Sequence, residues 1–168
     1  MLPFERAPKT GDEKEILVGV LNELRAVVLW KLDGLDEEQA SRPMVPSGTS
    51  LLGIVKHLAW VERWWFVDFI GGEKLEYPWS EQDPDADFRI EDHETVVSIS
   101  RLYADAVGEA NAVVAAAPNL DVAGALDSGP RSLRWVLAHM IDETGRHAGH
   151  SDIIRELIDG ATGYYPED

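Results

Sequence analysis

Glu143 and His147 stand four residues apart in His139-Met-Ile-Asp-Glu143-Thr-Gly-Arg-His147-Ala-Gly-His150, and His57 lies in a strongly apolar segment far upstream. Two imidazoles and a carboxylate form the donor set of a catalytic divalent-metal site, in which three protein ligands leave a further position open for water or substrate. The chemistry on offer is therefore that of a Lewis acid, provided the chain folds so that all three side chains meet.

Helical phase argues that they do. At about 100° per residue, with Glu143 at zero, His147 falls near about +40°, beside Val136 and Ile154 at about +20° and Met140 and Ile158 at about +60°. Asp142, Arg146, Asp152, Glu156 and Asp159 lie at or beyond the edges of that stripe. On the upstream segment, Ile54, Val61 and Trp64 fall within about 60° of His57, whereas Lys56, Glu62 and Arg63 project elsewhere. All three candidate ligands thus face the expected core. A carboxylate buried there without compensation is costly, and a divalent metal would supply the missing charge. Each residue taken singly is more often structural: a core histidine donating to a carbonyl, or a surface Glu-His pair. Their convergence on inward faces favours the metal reading.

His139 and His150 lie within about 40° of Glu143 on the same helix. Either could replace a ligand or act in an outer shell, and His150, three residues beyond His147, is the better candidate for proton transfer. At the rim of the helices it reads equally well as a partly buried polar residue. His93, amid acidic residues, reads as surface. Trp60, Trp64 and Trp65 read as core packing, with Trp64 able to pack beside a metal. Tyr77, Trp79, Tyr164 and Tyr165 read as caps at an end of the helices, and the acidic run Glu81 to Asp87 as a solvated connection. The chain has no cysteine, no Gly-x-Ser-x-Gly elbow and no phosphate-cradling glycine loop, so no nucleophile of its own stands out.

Four long segments with helical periodicity must position these groups. The first is expected from near Asp12 to about Leu32, ending at Gly34. The second is capped by Thr49 or Ser50 and runs through His57 to Ile70, stopping at Gly71-Gly72. The third covers Glu91 to Ala117, before Pro118. The fourth follows Gly129-Pro130, with Ser132 as its cap, and ends at Ile158 before Gly160. A short helical turn is expected around Asp36 to Ser41. Little of the sequence alternates as strands do. The fold class is therefore all-α, a four-helix bundle. Residues 72 to 90 are much longer than the roughly 2 to 8 residues that join antiparallel neighbours, and long enough for a crossover between parallel second and third helices.

The 168 residues suit a single domain over 1–168. A formal charge of −16 argues against binding nucleic acid or an anionic membrane through a broad surface. The N-terminus lacks a basic region followed by an apolar run, and no stretch is apolar enough to span a bilayer. The expected protein is soluble and cytoplasmic, with a small-molecule partner. Any thiol chemistry must use a thiol brought from outside.

The stretches Pro46-Ser-Gly-Thr-Ser-Leu-Leu-Gly-Ile-Val-Lys-His57-Leu-Ala-Trp-Val-Glu62-Arg-Trp-Trp and His139 to Gly160 resemble the DinB-like superfamily of damage-inducible-type proteins, particularly its actinobacterial branch related to mycothiol-dependent maleylpyruvate isomerase. The resemblance implies a helical bundle with a long crossover, often dimeric, and a divalent metal, zinc or nickel foremost, held by His57, Glu143 and His147. Glu143 matches the isomerase branch, where Glu stands for the more common first histidine of the last helix. It also implies a thiol S-transferase using mycothiol or another low-molecular-weight thiol, whose pKa the metal lowers. The additional C-terminal region of the isomerase has no counterpart in these residues. Two other functions fit the same ligands: metal-assisted hydrolysis, and a non-enzymatic metal-binding stress-response module whose occupancy stabilises the fold.

Overall fold

The computed structural model describes residues 2–126, 129–163 and 165–166. The long elements are helical, as the periodicity requires: α1 Glu13–Trp30, α2 Glu37–Ser41, α3 Leu51–Glu62, α4 Val96–Ala116 and α5 Leu133–Asp159. Their starts follow side-chain capping. Asp12 and Thr95 form capping boxes with Glu15 and Ser98, while Ser50 and Ser132 accept from Gly53 and Trp135. A side-chain oxygen there satisfies an amide that the first helical turn leaves unpaired. Gly160, at φ 77°, closes α5 in the left-handed conformation that glycine adopts without penalty.

Three elements depart from the expected layout. The helix containing His57 changes after Glu62 into a π-helical segment, Arg63–Ile70, that carries Trp64 and Trp65. The third long helix starts at Val96 and not near Glu91, because Thr95 caps it. Before α5 stands an antiparallel hairpin of β1 Ala123–Leu126 and β2 Gly129–Ser132, with Ala123 opposite Ser132. The chain just before β1 serves α5: Leu133 N donates to Val122 O at 2.7 Å and Arg134 N to Leu120 O at 3.0 Å, satisfying amides at the helix start.

Ion pairs give the relative directions of the helices. Glu13 meets Arg134 and Lys31 meets Asp152, so α1 and α5 run the same way. Lys56 meets Glu94 and Arg63 meets Glu109, so α3 and α4 also run together. His57 lies beside His147 and Trp65 beside Trp135, which sets α3 antiparallel to α5. Residues 72 to 95 therefore connect two helices of the same direction, as their length allowed.

Val28, Leu51, Ile54, Leu58, Tyr103 and Val107 belong to one buried cluster, and Leu21, Phe66, Leu133, Leu137 and Met140 to a second. Each fully buried aliphatic or aromatic side chain contributes about 1.5–3 kcal/mol. The interior also holds charge. Arg25 donates from Nε to Glu62 Oε1 at 2.6 Å and from Nη2 to Oε2 at 2.5 Å, both side chains being buried. It donates further to Asn22 Oδ1 and Asn111 Oδ1, which ties α1, α3 and α4 together. Lys56, also buried, donates to Glu94 Oε2 and to Arg89 O. Glu62 and Lys56 do turn away from His57, but into buried polar partnerships and not into solvent.

Candidate metal centre

Ser50 and Gly53 open α3, and His57 follows Gly53 by four residues, on the same face. Gly53 is functional in its smallness: a Cβ there would stand 2.4 Å from Phe88 O. The bare backbone lets the 3-10 turn Ala86–Phe88 lie directly on α3. Lys56 clamps the following residue, Arg89, through its carbonyl at 2.7 Å. The result falls on His57, whose ring stacks on Phe88 with centroids 4.0 Å apart, and whose Nδ1–H donates to Asp87 Oδ2 at 2.7 Å. The acidic connection is thus not wholly solvated. Asp87 is buried, and its aspartate is held against the imidazole.

The opposite wall comes from α5. Glu143 and His147, one turn apart, meet His57 so that one ligand atom from each residue lies within 4.8 Å of the other two. Glu143 Oε1 is 3.3 Å from His57 Nε2 and 3.3 Å from His147 Nε2. Donors about 2.1 Å from a tetrahedral zinc stand about 3.4 Å apart, so these separations suit a shared ion. The donor chemistry agrees. With Nδ1–H directed at Asp87, a neutral His57 turns a lone pair toward a carboxylate oxygen, and an added proton or a cation makes that approach favourable. All three side chains are half-buried, leaving one side open. Asp87 stands behind His57 as a carboxylate partner commonly stands behind a metal-binding histidine. His147 Nδ1 is buried and has no hydrogen-bond partner among the described residues.

The electrostatics of the protein alone follow from the same contacts. Burial works against a charged His57, but Asp87 and Glu143 outweigh it and hold its pKa above the ordinary histidine value. His147 first, then His57, hold Glu143 far below the usual carboxylate range despite partial burial.

The remaining histidines separate by position. His139 lies one turn before Glu143, stacked on Trp135 with centroids 5.0 Å apart at 13°, and edge-on to Trp65 at 5.0 Å. It lines a pocket of about 330 Å³ that also includes His57, Glu143, Asp87, Trp64 and Trp79. His150 is exposed, its ring edge-on to His147 at 5.4 Å. His93 is exposed, as expected. Tyr77 stacks on Trp79, meets Trp60 of α3 edge-on and donates to Asp68 Oδ2 of the π-helical segment at 3.2 Å. Tyr165 packs on Phe4, and Tyr164 lies outside the described residues. A larger groove of about 830 Å³ shares Asp85 and Phe88 with the pocket, but none of the three cluster residues lines it.

A mostly helical fold with His57 on one helix and Glu143 and His147 on the antiparallel last helix defines a protein of the DinB-like class. Within that class the chain belongs to the mycothiol-S-transferase family, whose model matches residues 16–160. That span takes in both helices of the cluster and the connection bearing Asp87. The fold is also similar to the crystal structure of a conserved protein from Enterococcus faecalis, at a TM-score of 0.68 and 13% identity, covering 90% of this chain and 100% of the other. No curated protein matches the sequence. Among the described residues no helix is long and apolar enough to cross a membrane.

Proposed function

We propose that the chain is a divalent-metal-dependent thiol S-transferase, in which His57, Glu143 and His147 hold zinc or nickel and mycothiol or another low-molecular-weight thiol is the sulfur donor. The observation that carries this reading is the convergence of two histidine nitrogens on one carboxylate oxygen, in a chain of a family described as mycothiol-S-transferase. A bound divalent ion would stabilise a thiolate at neutral pH. A chain with no cysteine must take that sulfur from a cosubstrate.

The protein's own residues have separate tasks. Asp87 fixes the His57 ring so that Nε2 faces the cluster. Phe88 covers that ring on one side and limits the access of water to it. His150, exposed beside His147, is the proposed group for passing a proton between the site and solvent. The framework in this reading is one domain over residues 1–168, a four-helix bundle of α1, α3 with its π-helical extension, α4 and α5. The crossover after residue 71 closes it over the cluster. Location in the cytoplasm, where low-molecular-weight thiols are kept reduced, belongs to the same proposal, as does a homodimer, which light scattering would decide.

The test is transfer of mycothiol to a reactive electrophile by protein loaded with zinc or nickel. We expect product formation that requires thiol, protein and metal together and disappears after chelation. Turnover of a hydrolysable substrate without any thiol would instead assign the site to metal-assisted hydrolysis. Metal binding with no turnover of either kind would assign it to a binding module.

A further inference from the structure

The pocket beside the cluster is built differently from the polar interior around Arg25. Val61, Trp64, Trp65, Trp79 and Phe88 give it flat aromatic and apolar walls, and His139 presents an imidazole that is itself stacked on Trp135. Trp64, which packs against the second buried cluster, and Trp79, which stacks on Tyr77, are only half-buried, so each keeps part of its ring surface open. Trp64 and Trp65, neighbours in the π-helical segment, have ring centroids 4.4 Å apart at 63°, so the half-buried Trp64 is backed by the buried Trp65. Such segments recur at functional sites. The volume, about 330 Å³, lies at the small end of the roughly 300–1,000 Å³ range of ligand pockets.

Charge narrows the occupant further. The carboxylates lining the pocket are those of Asp85, Asp87 and Glu143, no lysine or arginine is among the lining residues, and the imidazole of His57 is already engaged by Asp87 and Glu143. Asp85 is exposed at the edge of the pocket. The chain carries a net −16 in addition. A divalent ion on the cluster would be neutralised by Glu143 and a bound thiolate, leaving Asp85 and Asp87 to repel an anionic guest, whereas an uncharged ring system exchanges water for aromatic surface.

We infer that this pocket holds the electrophile, and that it selects an uncharged, flat, conjugated acceptor of one or two rings over aliphatic or carboxylated ones. The inference rests on the transferase reading for its word electrophile; the ligand class rests on the walls alone. The matching reaction is conjugate addition to an aryl enone. The sulfur–carbon bond forms at the β-carbon, the carbon–carbon π pair moves to the α-carbon, and that carbon takes up the proton given up by the thiol. Nothing is oxidised or reduced and no leaving group is required.

Two unreactive isosteres test the ligand class apart from catalysis: 2-acetylnaphthalene, neutral and flat, and 2-naphthoate, its carboxylate counterpart. Calorimetric titration of the metal-free chain, and of the zinc-loaded chain saturated with mycothiol, should show the ketone binding at least about tenfold more tightly than the acid. Trp64→Leu and Trp79→Leu, each at a half-buried position and checked for fold by circular dichroism, should each weaken the ketone by roughly tenfold. Equal affinity for ketone and acid, no binding of the ketone, or unchanged binding by both folded variants would overturn the inference. In a parallel assay with mycothiol, 4-phenyl-3-buten-2-one should exceed 3-penten-2-one and the 4-carboxylated phenyl analogue by at least about tenfold in kcat/KM, each divided by its uncatalysed rate. Equal ratios for all three would overturn the selectivity. Selective binding of the ketone with no transfer to any acceptor would support the ligand class while overturning the transferase reading.

Discussion

Asp87 Oδ2 accepts a hydrogen bond of 2.7 Å from Nδ1 of His57, and so fixes which nitrogen of that ring faces Glu143. The pairing joins a turn of the long connection to the helix bearing the first candidate ligand. It makes the site a product of three chain segments and not two.

Asp87→Asn tests that relationship. Its amide oxygen can still accept from His57, but without charge, and the imidazole becomes a poorer donor. Loss of an outer-shell partner typically weakens metal binding about 10–100-fold. We expect a loss in that range by chelator competition, with little change in the far-ultraviolet circular dichroism. Unaltered affinity would remove Asp87 from the site.

Gly53→Ala acts on the same turn from below. The added Cβ would need the space now held by Phe88 O, at 2.4 Å, so the turn must move away from α3. The expected outcome is weaker metal binding although no ligand is altered, together with faster amide exchange around residues 86 to 89. A variant matching the parent in both would show that the turn tolerates the shift.

Much of the candidate site could be read in the sequence because its ligands lie on long periodic helices. Glu143 and His147 are one turn apart, and the apolar neighbours of His57 give its phase directly. Asp87 could not be read in this way. It sits in a connection with no period, thirty residues from its partner, amid acidic residues that resemble solvated ones. The one signal that pointed to the contact is Gly53, a glycine inside an otherwise apolar helix, where close backbone approach is a common cause. Arg25 and Glu62 were hidden for another reason. Helical phase gives the direction of a side chain, not the partner that awaits it, and a charged residue is assigned to solvent by default. The hairpin before α5 escaped because Ala123-Gly-Ala-Leu126 is short and lacks alternation, and Gly129-Pro130 reads as a helix start.

Glu62→Ala would leave the Arg25 guanidinium buried without its carboxylate. Breaking a buried pair from one side costs about 3–5 kcal/mol, and chemical denaturation should register a loss of that order. The double variant Arg25→Met, Glu62→Leu should be markedly less destabilised than the sum of the two single changes. Simple additivity would mean that the pair is not coupled.

Protons compete with the metal for the same atoms, so affinity should rise with pH. His57, whose pKa in the metal-free chain is held above the ordinary 6.5, gives up its proton at a higher pH than a free imidazole does. That raised value stabilises the metal-free fold at low pH, and the contribution fades as pH rises through the folded-state pKa. Glu143 has the opposite sign: its lowered value stabilises the fold above the ordinary carboxylate range, and the contribution falls away progressively as pH drops below that range. Titrations from about pH 5.5 to about pH 8.5 should therefore show tighter binding and proton release as pH increases. A flat profile would mean that no histidine gives up a proton to bind.

The most direct test of the proposed metal centre is elemental analysis of protein purified without a histidine tag, comparing the parent with His57→Ala, Glu143→Ala, His147→Ala and the exposed control Asp142→Ala. We expect about one divalent ion per chain in the parent and the control, and loss of that ion in each of the three folded ligand variants. A parent that carries no metal and takes up neither zinc nor nickel when they are supplied would contradict the metal centre and leave the three side chains as a hydrogen-bonded cluster.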